Sequence, residues 1–218
     1  MAATVRVTGT VPVLGLGAFG SRVAELLCDG IVGAYRIGPD DLAGSFARRP
    51  AAVVVAAPHP MPEVCRSADR AAWQHGVPWL PVVDEDLTVR LGPWVVPGAG
   101  PCFDCYLARR VQHDDQSAIT AAVRAACADD PACGPRGFLP QHARAAAGVA
   151  HGLLHQPPDP GTVVALSVRS GNLDSHRVLH CHGCPRCAPG SVPGLDRTGA
   201  LAELLRPAGG TTPYGVPA

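Results

Sequence analysis

The sequence contains no lysine, so all 18 of its basic residues are arginine. Arginine stays protonated at physiological pH, and chemistry that needs a neutral amine, from Schiff bases to lysine general bases, is excluded. No run reaches the eighteen or so apolar residues that a membrane-spanning helix needs. The opening Met-Ala-Ala-Thr-Val-Arg-Val has no apolar signal-peptide core, which makes a soluble, cytoplasmic chain the expectation. Acidic and basic residues balance to a net charge of zero, without the concentrated basic face that neutralises phosphates, so nucleic acid is not an expected partner. No Gly-x-Ser-x-Gly elbow appears to anchor hydrolase chemistry, and there is no internal repeat.

What is present is cysteine in a pattern. Cys102-Phe-Asp-Cys105 and Cys184-Pro-Arg-Cys187 are two CxxC pairs far apart in the chain. Thiolates two residues apart on a tight turn can share one tetrahedral cation, and two such turns make a closed four-sulfur zinc shell with no open position for substrate. The expected role is structural. A redox dithiol would want its cysteines at a helix start, whereas the second pair runs into Ala188-Pro189-Gly190. The count of nine cysteines is odd, against a disulfide framework. Cys181, His180 and His182 crowd the second pair and leave the ligand set open to one exchange.

From Pro12 the chain reads as a short apolar strand, a glycine turn (Gly15, Gly17, Gly20) and a helix with apolar positions at Val23, Leu26 and Leu27. Such a turn lets backbone approach a phosphate at a helix N-terminus. Strands over Gly33 to Ile37, Ala52 to Ala57 and Leu80 to Val83, with a helix from Met61 to His75, imply βαβ units and a mainly parallel sheet. Thr88 to Leu91, Gly92-Pro93 and Trp94-Val-Val read as a hairpin or sharp bend. A helical insert follows, one helix over Tyr106 to Ala128 and one over Gln141 to His155, then strands over Thr162 to Val168 and Ser175 to His180. The expected fold class is α/β, Rossmann-like. Residues 1–100 form a nucleotide-binding-type half, 101–190 a helical insert and β unit closed by zinc, and 191–218 a Pro/Gly-rich tail with a short helix over Thr198 to Leu205.

The glycine turn with two late CxxC pairs resembles the ThiF-like fold of ubiquitin-activating-type adenylating enzymes. A narrower likeness lies in Trp79-Leu-Pro-Val, Gly92-Pro-Trp-Val-Val-Pro-Gly, Pro101-Cys-Phe-Asp-Cys, Arg109, His180 and Cys184-Pro-Arg-Cys187. These resemble the ThiF-like partners of YcaO cyclodehydratases, which act in biosynthesis of thiazole/oxazole-modified peptides, including thiopeptides. The resemblance implies zinc on Cys102, Cys105, Cys184 and Cys187, ATP at the glycine turn, a YcaO partner, a precursor peptide and a homodimer. Active relatives carry a ribose-holding acid, for which Asp40 or Asp41 stands after the second strand, and an arginine, for which Arg48 or Arg49 stands. Their lysine is missing, and Pro58-His59 occupies the place of their magnesium-binding aspartate. Without both, the electrostatic stabilisation of adenylyl chemistry is largely gone. The expectation is an accessory, non-catalytic subunit. An active adenylating enzyme, or a nucleotide-binding oxidoreductase using the same turn, is the alternative. Relatives often carry a winged-helix leader-binding domain ahead of the glycine turn; with Gly15 so near the N-terminus, leader binding is expected of a separate protein.

Other candidates receive plainer readings. Asp84-Glu85-Asp86 reads as a solvated turn, His151 and His155 as a surface pair on a helix, and Cys28 and Cys65 as buried thiols. Cys127 and Cys133, around an Asp-Pro turn, read as free thiols.

Overall fold

The computed structural model describes residues 9–85, 87–112, 114, 117–129 and 137–187. β1 (Val11–Gly15) feeds α1 (Gly17–Gly30), and β2 (Ala34–Ile37) is followed by a 3-10 turn at Pro39–Asp41 and α2 (Leu42–Ala47). Next come β3 (Val53–Ala57), α3 (Pro62–His75), β4 (Trp79–Glu85) and β5 (Thr88–Leu91). α4 (Phe103–Gln112), α5 (Ser117–Asp129) and α6 (Pro140–His155) precede the hairpin of β6 (Thr162–Ser167) and β7 (Leu173–Arg177). Pro62 at the start of α3 supplies a helix-compatible φ, and Gly76, left-handed at φ 68°, ends it.

The seven strands among the described residues form one sheet in the order β2-β1-β3-β4-β5-β6-β7. The pairs among β2, β1, β3 and β4 are parallel, and those from β4 through β7 are antiparallel. The sheet is therefore mixed, not mainly parallel. Only two residues separate Glu85 from Thr88, too few for the crossover that a parallel pair requires, so β5 must fold back on β4. The hairpin is there; Gly92-Pro93 is instead a sharp bend with a cis peptide, which lays Val95 against Trp79.

Alternation along the central strands explains the layers. Val54 and Ala56 join Phe19, Val23, Ala146 and Ala150 on the α1 and α6 side, while Val53 and Val55 join Phe46, Ala68, Trp79 and Phe103 on the other. α1 lies unusually close to the sheet. A Cβ on Gly20 would stand 2.2 Å from the Ala56 carbonyl oxygen, which is backbone and cannot swing away. Gly20→Ala is expected to lower stability by about 3 kcal/mol in urea unfolding. In the same assay Gly44→Ala, at a position with open space around it, should be neutral or slightly stabilising.

Several element boundaries move. The single helix expected over Tyr106 to Ala128 is two helices, broken where Asp114, Asp115 and Ser117 supply residue types that start helices. The last strand is Leu173–Arg177 rather than Ser175 to His180, because the turn closes at once, with the Ser167 N–H donating to the Asn172 carbonyl at 2.9 Å. The turn over Cys127 to Cys133 and the tail from residue 188, including the helix expected over Thr198 to Leu205, lie outside the described side chains and residues.

Candidate metal centre and glycine turn

The first CxxC pair straddles the start of α4, with the Tyr106 N–H donating to the Cys102 carbonyl. The second lies on turns just past β7, where Gly183 takes φ 70° and the Cys184 N–H donates to the Cys181 carbonyl. Extension of the sheet through β5, β6 and β7 brings the turns together. Cys102 Sγ lies 3.6 Å from Cys184 Sγ and Cys105 Sγ 3.4 Å from Cys187 Sγ, and all four sulfurs fall within 4.8 Å of one another. A disulfide would need about 2.05 Å. Sulfurs about 2.3 Å from a shared zinc ion stand roughly 3.8 Å apart in a tetrahedron, so the donor set fits the cation.

Two of the neighbours that could exchange for a ligand lie against the sulfurs. The Cys181 N–H donates to Cys105 Sγ at 3.2 Å, and His180 Nδ1 lies 3.2 Å from Cys187 Sγ. Burial pushes the Cys102, Cys105 and Cys187 thiols up to about 12. Cys184 is also raised by burial, but the Cys187 and Arg186 N–H groups and the Cys105 and Cys187 thiols outweigh that and bring it down to about 7. A cation entering this site must displace protons. Bound metal is thus expected to be lost progressively as pH falls.

Beneath the sulfurs is a charge network formed partly by the two residues inside the second and first CxxC pairs, Arg186 and Asp104. Asp69 of α3, fully buried, accepts from Trp79 Nε1 at 3.2 Å and from the Phe103 N–H at 3.3 Å, and pairs with Arg186 Nη1. Burial raises the Asp69 carboxyl, and the indole, guanidinium and amide donors oppose that. Arg186 Nη2 reaches Asp104 at 3.5 Å, and Asp104 accepts from Arg66 Nε of α3 at 3.0 Å. Each knuckle is thereby tied to α3 as well as to the other knuckle.

The glycine turn lies at the carboxyl end of β1. Gly17 has φ 59°, and a Cβ there would stand 2.8 Å from the Pro58 ring that follows β3. Gly15 and Gly20 face each other across the turn, a Cβ on Gly15 falling 2.5 Å from the Gly20 carbonyl. The absence of a Cβ at all three lets the chain pack closely here. Asp41 sits exposed at the end of the 3-10 turn after β2.

No family model and no curated protein matches the sequence. Solved structures do match. A heterocyclase in complex with substrate and cofactor aligns at TM-score 0.59 and 20% identity, over 83% of this chain and 25% of that one. The E. coli microcin synthetase McbBCD complex aligns at 0.58 and 14%, over 81% and 67%. E. coli MccB with ATP aligns at 0.52 and 15%, over 84% and 68%. The chain shares the fold of these proteins. It spans only a quarter of the heterocyclase's length. Among the described residues no helix is long and apolar enough to cross a membrane.

Two plainer readings need correction. Asp84 is buried and Glu85 holds Arg90 at 2.9 Å and Arg110 at 2.5 Å, so this stretch is a strand end with ion pairs and not a solvated turn; Asp86 lies outside the described residues. His151 turns its ring into a groove between α1 and α6 beside Leu27, Ile31 and Arg144, while His155 alone is exposed. Cys65 is buried, and burial, then Asp69, pushes its thiol up to about 12; Cys28 is half-buried.

Proposed function

We propose that this chain is an accessory, non-catalytic ThiF-like subunit of a peptide cyclodehydratase system, acting as a homodimer that docks a YcaO-type enzyme, the precursor peptide, or both. The observation that carries the reading is the fold shared with a heterocyclase and a microcin synthetase complex, in a chain that has no lysine and whose glycine turn packs against Pro58. Zinc on Cys102, Cys105, Cys184 and Cys187 supplies cross-linking and no reaction step, since four sulfurs close its shell. The partner performs the chemistry. A Cys, Ser or Thr side chain of the precursor attacks the preceding amide carbonyl, the amide oxygen is phosphorylated by ATP, and departure of phosphate leaves the azoline. This chain positions the peptide against that partner.

The test mixes the full chain with a YcaO-type enzyme and its precursor. Co-elution and an increase in azoline, read as loss of one water per ring by mass spectrometry, are expected. The chain alone should give no ATP–pyrophosphate exchange. Full cyclodehydration by the partner alone, with no detectable binding, would overturn the reading.

A second reading, an active adenylating enzyme, is favoured by the left-handed Gly17 and by the fold shared with MccB solved with ATP. Magnesium-dependent ATP binding that Gly17→Val abolishes, together with pyrophosphate exchange, would replace the accessory role.

A further inference from the structure

Among the described residues the sheet ends at β7, and all five residues of that strand are exposed. An edge strand leaves a row of N–H and C=O groups free to pair with another chain. The hydrogen bonds fix which groups these are. Ser167 bonds Asn172 and Val178 bonds Gly161, so in the register Val163↔His176 and Ala165↔Asp174 the even residues of β7 turn their backbone groups toward β6. Leu173, Ser175 and Arg177 therefore direct theirs outward.

The strand Leu173-Asp-Ser-His-Arg177 is complementary to itself in the antiparallel sense. With Ser175 opposite Ser175 of a second copy, Leu173 falls opposite Arg177, and all three outward residues exchange both backbone bonds. Asp174 then stands opposite His176 as a non-hydrogen-bonded pair, where side chains approach most closely, about 4.5–5.5 Å between Cβ atoms. Both lie on the face of Val163, which packs toward Phe103 and Tyr106 of α4. On that face Arg109, Arg110, His176 and Val178 line an open recess of about 270 Å³. Arg109 there donates to two neutral acceptors, Gln112 Oε1 at 3.0 Å and the His180 carbonyl at 2.9 Å. The register carries a carboxylate from the second copy to the mouth of this cationic recess. On the opposite face the Arg177 stem covers Leu173, which is 55% exposed in the single chain.

We propose that β7 pairs with β7 of a second copy about a two-fold axis through Ser175, joining two seven-stranded sheets into one. This names the surface of the homodimer in the reading above. Its test reads oligomeric state and needs neither enzyme partner nor nucleotide, so the two can fail separately.

Sedimentation of the full chain should give a dimer at micromolar concentration. Ser175→Pro removes an outward N–H while leaving the bonds to β6 intact, and should weaken the dimer roughly a hundredfold with the circular dichroism spectrum retained. As a second arm, Asp174→Arg turns a guanidinium toward the arginine-lined recess of the second copy and should weaken pairing at least about tenfold. Adding His176→Glu to it sets a carboxylate opposite the new guanidinium and should restore the dimer. A monomeric wild-type chain, a dimer that both single variants leave unchanged, or an acidic peptide occupying this edge on a monomer would each overturn the proposal.

Discussion

Cys184→Ser is expected to take zinc from about one ion per chain to near none and to lower the melting temperature by roughly 10 °C or more. The four sulfurs come from two segments that no strand pairing joins directly, and serine offers zinc a hydroxyl in place of a thiolate. With one ligand gone, the cation no longer closes the loop between α4 and the turn after β7. A loss of about 3–5 kcal/mol would shift the transition of a chain this size by about 2–4 °C per kcal/mol. Elemental analysis and calorimetry on the same preparations check both halves. A chelator should move the wild-type transition toward that of the variant and leave the variant unmoved. Cys65→Ser separates this from general thiol loss, because Cys65 is buried but is not among the clustered sulfurs; it should cost stability and keep zinc. Full zinc and an unchanged transition in Cys184→Ser would refute the clamp.

Asp69→Ala should cost about 3–5 kcal/mol, although Asp69 is no metal ligand in this reading. The substitution takes the buried acceptor from an indole N–H and a backbone N–H, and removes one of the two carboxylates that Arg186 reaches. Arg186→Leu should cost a similar amount by leaving the carboxylate buried without its cation. The double variant Asp69→Leu/Arg186→Leu is the informative one. Removing both charges eliminates the desolvation penalty along with the attraction, so the pair should be coupled by at least about 1.5 kcal/mol in a double-mutant cycle from urea unfolding. Strict additivity would mean the pair is incidental. Zinc should also leave the single variants faster under chelation, since Arg186 lies between two of the ligands.

The contrast between these residues explains what could be read beforehand. The cysteines were legible because a two-residue spacing is itself the chemistry of a chelating turn. Asp69 was not, because one aspartate in a helix looks like a solvated position. A signal did exist: Cys65, Ala68, Asp69 and Ala72 follow the helical i, i+3, i+4, i+7 spacing of one face, and Asp69 sits among apolar residues on it. A carboxylate at the centre of an apolar stripe requires a buried partner. Asp84 carries a similar signal at the end of β4, whose preceding residues are all buried. The βαβ half was legible from its alternation of strands and helices. Where the sheet turns antiparallel also had a signal, since the strand ends expected at Val83 and Thr88 leave four residues between them, too few for a parallel crossover. The open edge at β7 could not be read at all, since edge status belongs to the order of strands in space.

The different anchoring of the two sulfur pairs has a consequence for local opening. Cys102 and Cys105 are held where α4 packs on Trp79 and Asp69, whereas Cys184 and Cys187 depend on the β6–β7 hairpin, which joins the sheet through β5. The closed shell needs the β6–β7 hairpin in place, so ion release is expected to accompany detachment of that hairpin. Release of zinc into a chromogenic chelator would then time the detachment of the final hairpin while the parallel half of the sheet is still intact, a clock for local opening set within the fold.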